Sequence, residues 1–167
     1  MVSSRVGTGL EIVSHSADQT KWLGERLGRL LQPGDVVCLQ GDLGSGKTCL
    51  TQGIARGLGV GQPVTSPTFI IINEYGLPGM GHRLRHIDLY RIESIAEARA
   101  LGLVDYFYGD GICVVEWAER VLELLPAERL WVTLRCMDHT QRELRFGATG
   151  KHYADLLESL RQGTADA

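Results

Sequence analysis

Val36-Val37-Cys38-Leu39-Gln40-Gly41-Asp42-Leu43-Gly44-Ser45-Gly46-Lys47-Thr48 is the stretch that decides the fold. Its first four residues form a continuous apolar run, as expected of a strand buried on both faces. From Gly41 the text satisfies G-x-x-x-x-G-K-[ST] without a mismatch. Glycines at these positions let successive backbone N–H groups turn inward around phosphate oxygens, forming a concave anion site. A helix beginning near Lys47 aims its positive end at the same point. Lys47 brings a mobile charge to the β- and γ-phosphates, and Thr48 offers a hydroxyl to magnesium. Beyond the loop, Leu50, Ile54 and Leu58 mark the core face of a helix that ends near Gly59. Leu43, Gly44, Ser45, Gly46, Lys47, Thr48 and Cys49 are therefore the expected nucleotide-binding residues, with Lys47 also acting on the reaction.

Upstream, Ser16-Ala17-Asp18-Gln19 reads as a capping box, and Trp22, Leu23, Leu27, Leu30 and Leu31 follow at helical spacing. Pro33-Gly34-Asp35 stops that helix. Downstream, residues 68–75 and 83–90 have β character on either side of a turn-rich break, which predicts a hairpin. Residues 94–101 read as a helix with a second capping box, Ser94 with Glu97. Residues 112–115 form another buried-strand run and lead into a helical stretch that ends before Pro126. Late strands are expected at 130–134 and 143–146, and a last helix at about 152–160. Strands alternating with helices predict an α/β protein, a three-layer P-loop NTPase fold with a mixed, largely parallel central sheet.

A P-loop ATPase needs a carboxylate at the end of a second core strand, to hold magnesium directly or through water. Glu116 closes the apolar run 112–115 and is the first candidate; Asp88, in His86-Ile87-Asp88-Leu89-Tyr90-Arg91, is the second. Thr65, Ser66 and Thr68 lie between the P-loop helix and the next strand, where γ-phosphate-sensing loops occur. Pro67 drives Ser66 toward an extended conformation that presents its hydroxyl. Trp117 reads as a packing residue and His86 as a structural histidine. Arg91 is open between a γ-phosphate contact and an ion pair, and Arg129, Arg135, Arg142 and Arg145 read as a solvated face.

The 167 residues suit a single domain, with 1–9 and 162–167 expected as flexible ends. The glycines are read as lying in loops and helix ends. A formal net charge of −3 argues against a general polyanion-binding surface, so any nucleic-acid contact is local or carried by a partner. Cys38, Cys49, Cys113 and Cys136 are far apart, and the five histidines complete no zinc spacing, which predicts reduced thiols. No apolar run approaches a signal peptide or a membrane span, so a soluble, cytoplasmic protein is expected.

Taken together, these segments resemble the TsaE family, the small P-loop ATPase of bacterial tRNA threonylcarbamoyladenosine biosynthesis. The text that carries the resemblance is the P-loop itself, Ser66-Pro67-Thr68-Phe69, Asn73-Glu74-Tyr75, His86-Ile87-Asp88-Leu89-Tyr90-Arg91 and Val115-Glu116-Trp117. It runs in order from about residue 10 to 160. The resemblance implies ATP and magnesium as ligands, with the metal held through Thr48 and Glu116 and Asp88 close to it or to the attacking water. It makes Ala17 and Asp18 adenine-side candidates. It also implies two partners, the threonylcarbamoyl-transferase TsaD and its paralogue TsaB, with ATP hydrolysis resetting the transferase at adenosine 37 of tRNA. The tRNA is then reached through the complex. Cys49 stands where the family often has Thr, Ala118 replaces a frequent Pro, and residues 134–151 match least.

Two other readings of the same motif are a small-molecule kinase and a binding module that holds ATP without hydrolysing it. No acceptor pocket or Arg-bearing lid is assignable for a kinase. The absence of an Asn-Lys-x-Asp text disfavours a GTPase.

Overall fold

A computed structural model describes residues 9–67, 71–79 and 81–165. Seven strands form one sheet in the order β1-β7-β6-β2-β5-β4-β3. They are β1 (Gly9–Ser14), β2 (Val36–Gln40), β3 (Ile72–Gly76), β4 (Arg83–Asp88), β5 (Ile112–Glu116), β6 (Arg129–Cys136) and β7 (Arg142–Thr149). The central strands β6, β2, β5 and β4 run parallel, while β3–β4, β6–β7 and β1–β7 pair antiparallel. The sheet is therefore mixed, with its parallel part confined to the centre.

Strand alternation divides the core into two layers. Val37 and Leu39 of β2 pack with Leu23 and Leu27 of α1 (Ala17–Gly28), Leu50 and Ile54 of α2 (Lys47–Gly57), and Leu156 and Leu157 of α5 (Lys151–Ala165). Val36 and Cys38 face the other way. They join Ala98 of α3 (Ile95–Ala100), Leu103 and Phe107 of α4 (Leu103–Phe107), and a 3-10 helix, Ala118–Leu124. Helices on both faces of one sheet give the expected three layers.

Both capping boxes form with a one-residue offset. Ser16 Oγ accepts from Gln19 N–H, but the Gln19 side chain takes the N–H of His15. Ser94 and Glu97 repeat the pattern, with Glu97 accepting from Glu93 N–H.

Four features differ from the sequence reading. β1 had no counterpart there: Gly9, expected in a flexible end, opens this edge strand, whose Leu10 and Ile12 pack on the first core layer. Residues 162–165, also expected to be flexible, continue α5. The helical stretch expected before Pro126 is present but 3-10 in type and kinked at Val121 (φ −129°), and its buried residues Ala118, Val121 and Leu124 recur every third position. Finally, Gly24 and Gly53 sit inside helices and, with Gly28 and Gly57 at the helix ends, form the α1–α2 contact. Thr68 and Phe69, and the start of the strand expected at 68–75, lie outside the described residues.

Candidate nucleotide and metal site

The site is built where the parallel strands end, the crevice in which open α/β sheets bind ligands. β2 runs into the P-loop. Gly46, the residue before α2, has φ 104°, a left-handed conformation that favours glycine. Gly41 is constrained by close approach: a Cβ there would lie 2.5 Å from both the Leu134 carbonyl oxygen and Ser45 Oγ. The loop can therefore follow this path only with glycine at both places.

Lys47 is buried, and its ammonium donates to the carbonyl oxygens of Gly41 and Asp42, the latter at 2.8 Å. It also lies 4.6 Å from the centre of the Trp117 ring. Burial lowers its pKa from the ordinary lysine value, and Glu116, Glu119, Asp88 and Asp42 oppose that shift.

Sheet register brings the two carboxylates together. Asp88 ends β4 directly opposite Glu116 at the end of β5, and Leu39 of β2 is Glu116's partner on the other side. Both acids are nearly fully buried. Thr48 Oγ1 donates toward Glu116, 3.3 and 3.4 Å from its two oxygens. Asp88 accepts from the Ser66 hydroxyl at 2.9 Å and from the Tyr90 N–H at 2.9 Å. Fully buried His86 makes a hydrogen bond to Glu116 through Nε2, from behind the cavity wall, of which it is not itself part.

After Glu116 the chain turns through Trp117, the one non-glycine with positive φ (60°) among the described residues. A non-glycine held there costs about 1–3 kcal/mol and persists only where surrounding contacts fix it. Here the Tyr90 ring lies 5.1 Å away, and the Arg120 guanidinium stands over both rings. Arg120 also donates to the carbonyl oxygens of Tyr90 and Ile92, tying the segment after β4 to the turn after β5.

A cavity of about 600 Å³ spans this region. Leu43, Gly44, Gly46, Lys47, Thr48 and Cys49 line it, as do Ala17, Ser66, Asp88 and Glu116. Ser45, expected among the nucleotide-binding residues, is buried and not part of the lining. Neither Asp18 nor Thr65 is part of the lining: Thr65 is exposed beside a second cavity, with Lys21 and Arg56. Arg91, left open by the sequence, lines the main cavity, and so does Trp117.

The sequence reading assigned no site role to Ser16, Thr20, Tyr90, His139, Thr140 and Arg142, which complete the wall. His139 and Thr140 come from the β6–β7 turn and Arg142 opens β7. Asp138 organises that turn by accepting from the N–H groups of Thr140 and Gln141 at 2.9 and 2.7 Å. An Asp followed by short polar residues between two strands is the available signal for such a turn. Of the four arginines expected on one solvated face, Arg129, Arg135 and Arg145 do share a face, since Arg145 lies opposite Thr133 in the register, while Arg142 opposite Cys136 is on the other. Arg135 pairs with Glu143, Arg145 with Glu11 and Glu143, and Arg129 covers the Trp131 ring, whereas Arg142 lines the cavity.

The donor set offered here is a hydroxyl and two carboxylates, all hard oxygen ligands suited to magnesium. Among the described residues no group of three or more His, Cys, Asp or Glu is placed to hold a metal ion by itself.

The family model "Threonylcarbamoyl adenosine biosynthesis protein TsaE" matches residues 14–144. A relative named tRNA threonylcarbamoyladenosine biosynthesis protein TsaE, from Bacillus subtilis (strain 168), is 44% identical over 146 residues, 86% of this chain and 88% of the relative. One of the same name from Treponema pallidum (strain Nichols) is 41% identical over 136 residues, 81% of this chain and 98% of its own length. The crystal structure of Bacillus subtilis YdiB superposes with a TM-score of 0.81 at 37% identity, covering 96% of this chain and 99% of that one.

Proposed function

The chain belongs to the TsaE family, and from that premise we propose that it is a magnesium-dependent ATPase serving threonylcarbamoylation of adenosine 37 in tRNA. The family's part in tRNA threonylcarbamoyladenosine biosynthesis carries the pathway. The observation that carries the chemistry is the pairing of Asp88 with Glu116 across the ends of β4 and β5, with Ser66 on one carboxylate and Thr48 on the other.

In this reading the P-loop N–H groups and the end of α2 hold the phosphates, and Lys47 exchanges its loop carbonyls for phosphate oxygens. Thr48 and Glu116 hold the metal, with Asp88 beside them. Bound magnesium neutralises charge on the phosphate oxygens. Asp88 orients the attacking water, and Ser66, already bonded to Asp88, couples the segment after α2 to the γ-phosphate. Water oxygen bonds to the γ-phosphorus, the bond to the bridging oxygen breaks, and ADP leaves with its electron pair. One proton is released with phosphate. Catalysis of this kind is chiefly positioning and electrostatics, so turnover by the chain alone should be slow.

The threonylcarbamoyl-transferase TsaD and its paralogue TsaB are the proposed partners. Hydrolysis resets them between turnovers, and tRNA is reached through the complex. The cytoplasm is the proposed compartment; no helix among the described residues is long and apolar enough to cross a membrane. The test is reconstitution of tRNA modification from the transferase pair with this chain, with its Lys47→Ala variant, or with neither. Repeated modification cycles only with the wild-type chain support the reading. Undiminished cycling without the chain contradicts it.

A further inference from the structure

His86 is 0% exposed, and of its two ring nitrogens only Nε2 has a partner; Nδ1 is buried without a hydrogen bond. A polar atom left in that condition is destabilising, because its hydration is lost and nothing replaces it. Packing alone would favour an apolar side chain of similar volume. What the imidazole provides here, and an apolar group would not, is its bond to Glu116.

The geometry of that bond is informative. His86 pairs with Val114 in the sheet, so its ring reaches along the α2 face to the carboxylate two residues further on in β5. It takes hold of Oε2. The Thr48 hydroxyl approaches the same carboxylate, 3.3 Å from Oε1. Glu116 is thus fixed by a β4 side chain while it addresses the first turn of α2. A glutamate has three side-chain torsions to settle, and here one buried donor restricts them.

We propose that His86 is a positioning residue for the divalent cation: by holding Oε2 it presets the Glu116 carboxylate toward Thr48. The inference rests on the proposed function, which assigns Thr48 and Glu116 to magnesium. Partners that orient a metal ligand in this way typically account for about 10- to 100-fold in metal affinity.

ATP affinity is measured by titration, in excess magnesium and in EDTA, for the wild type, His86→Gln and His86→Met. Gln carries an amide N–H at about the reach of Nε2, whereas Met fills the volume without a donor. All three should bind ATP alike in EDTA. Magnesium should strengthen binding by wild type and His86→Gln to within about 3-fold of each other, and the gain should shrink about 10-fold or more in His86→Met. Full magnesium gain in His86→Met overturns the proposal. So does an equal loss with and without the metal, which is what a purely structural role produces. If His86→Met does not fold, His86→Asn, polar but too short to reach Glu116, replaces it under the same criteria. A wild type that gains nothing from magnesium refutes the proposed function itself, and this proposal with it.

Discussion

Lys47 rests on the carbonyl oxygens of its own loop, above the Trp117 ring, in a setting that disfavours its charge. Phosphate beside it favours the charged form and raises the pKa again. In the interval between the lowered and the restored values, nucleotide binding takes up a proton. ATP affinity should therefore fall as pH rises through the lysine's pKa in the free protein, and titration calorimetry in buffers of different ionisation enthalpy should register the uptake. Lys47→Ala removes charge-assisted bonds of about 1.5–3 kcal/mol, a loss of roughly 10- to 100-fold in ATP affinity. Cys49 offers a second probe. Burial raises its thiol pKa, so alkylation should be slow, and magnesium–ATP in the same cavity should slow it further. Alkylation at an unchanged rate with saturating nucleotide would place the ligand elsewhere. Most residues at this scale were readable because the P-loop is contiguous: Gly41 to Cys49 needed no tertiary information. Glu116 was readable because it closes a core strand, and Asp88 because it lies near the end of the hairpin's second strand. His139, Thr140 and Arg142 were not, since only the β6–β7 pairing and the place of β6 beside β2 bring them to the loop.

Helices α1 and α2 meet backbone to backbone. A Cβ on Gly53 would lie 2.1 Å from the Lys21 carbonyl oxygen, and one on Gly24 would lie 2.4 Å from that of Leu50. Neither obstacle is a flexible side chain, so the helices must move apart. Gly53→Ala should destabilise the fold by about 1–3 kcal/mol despite alanine's better helix propensity, as denaturant unfolding would measure. Because α2 starts at Lys47, ATP affinity should fall with it. A neutral or stabilising Gly53→Ala would contradict this packing. The glycine pairs lie four residues apart in each helix, a spacing visible in the sequence, but without a partner helix in view nothing distinguishes them from loop glycines. β1 was equally hard to read, being a short edge strand with alternate residues exposed. The hairpin and the two buried strands were legible because apolar runs and turn residues delimit them locally.

On the scale of the whole molecule, the cavity joins residues from the start of α1, the P-loop, the ends of β4 and β5 and the β6–β7 turn. A ligand held by all of these stabilises the fold as one unit. At 100 times its dissociation constant, magnesium–ATP should add about 2.7 kcal/mol, or about 5–10 °C in the unfolding midpoint. Lys47→Ala at the same concentration should gain little. The three-layer mixed sheet followed from alternating strands and helices, and its antiparallel β3–β4 margin from the hairpin; the β1–β7–β6 margin did not. The order of the strands lies outside local pattern, because each parallel neighbour is supplied by a distant segment. The measurement that bears most directly on the central claim is ATP hydrolysis by the purified chain, alone and with the transferase and its paralogue. The account predicts slow magnesium-dependent turnover that rises with the partners and is lost in Glu116→Ala. Turnover indifferent to the partners, or undiminished without the Glu116 carboxylate, would contradict it.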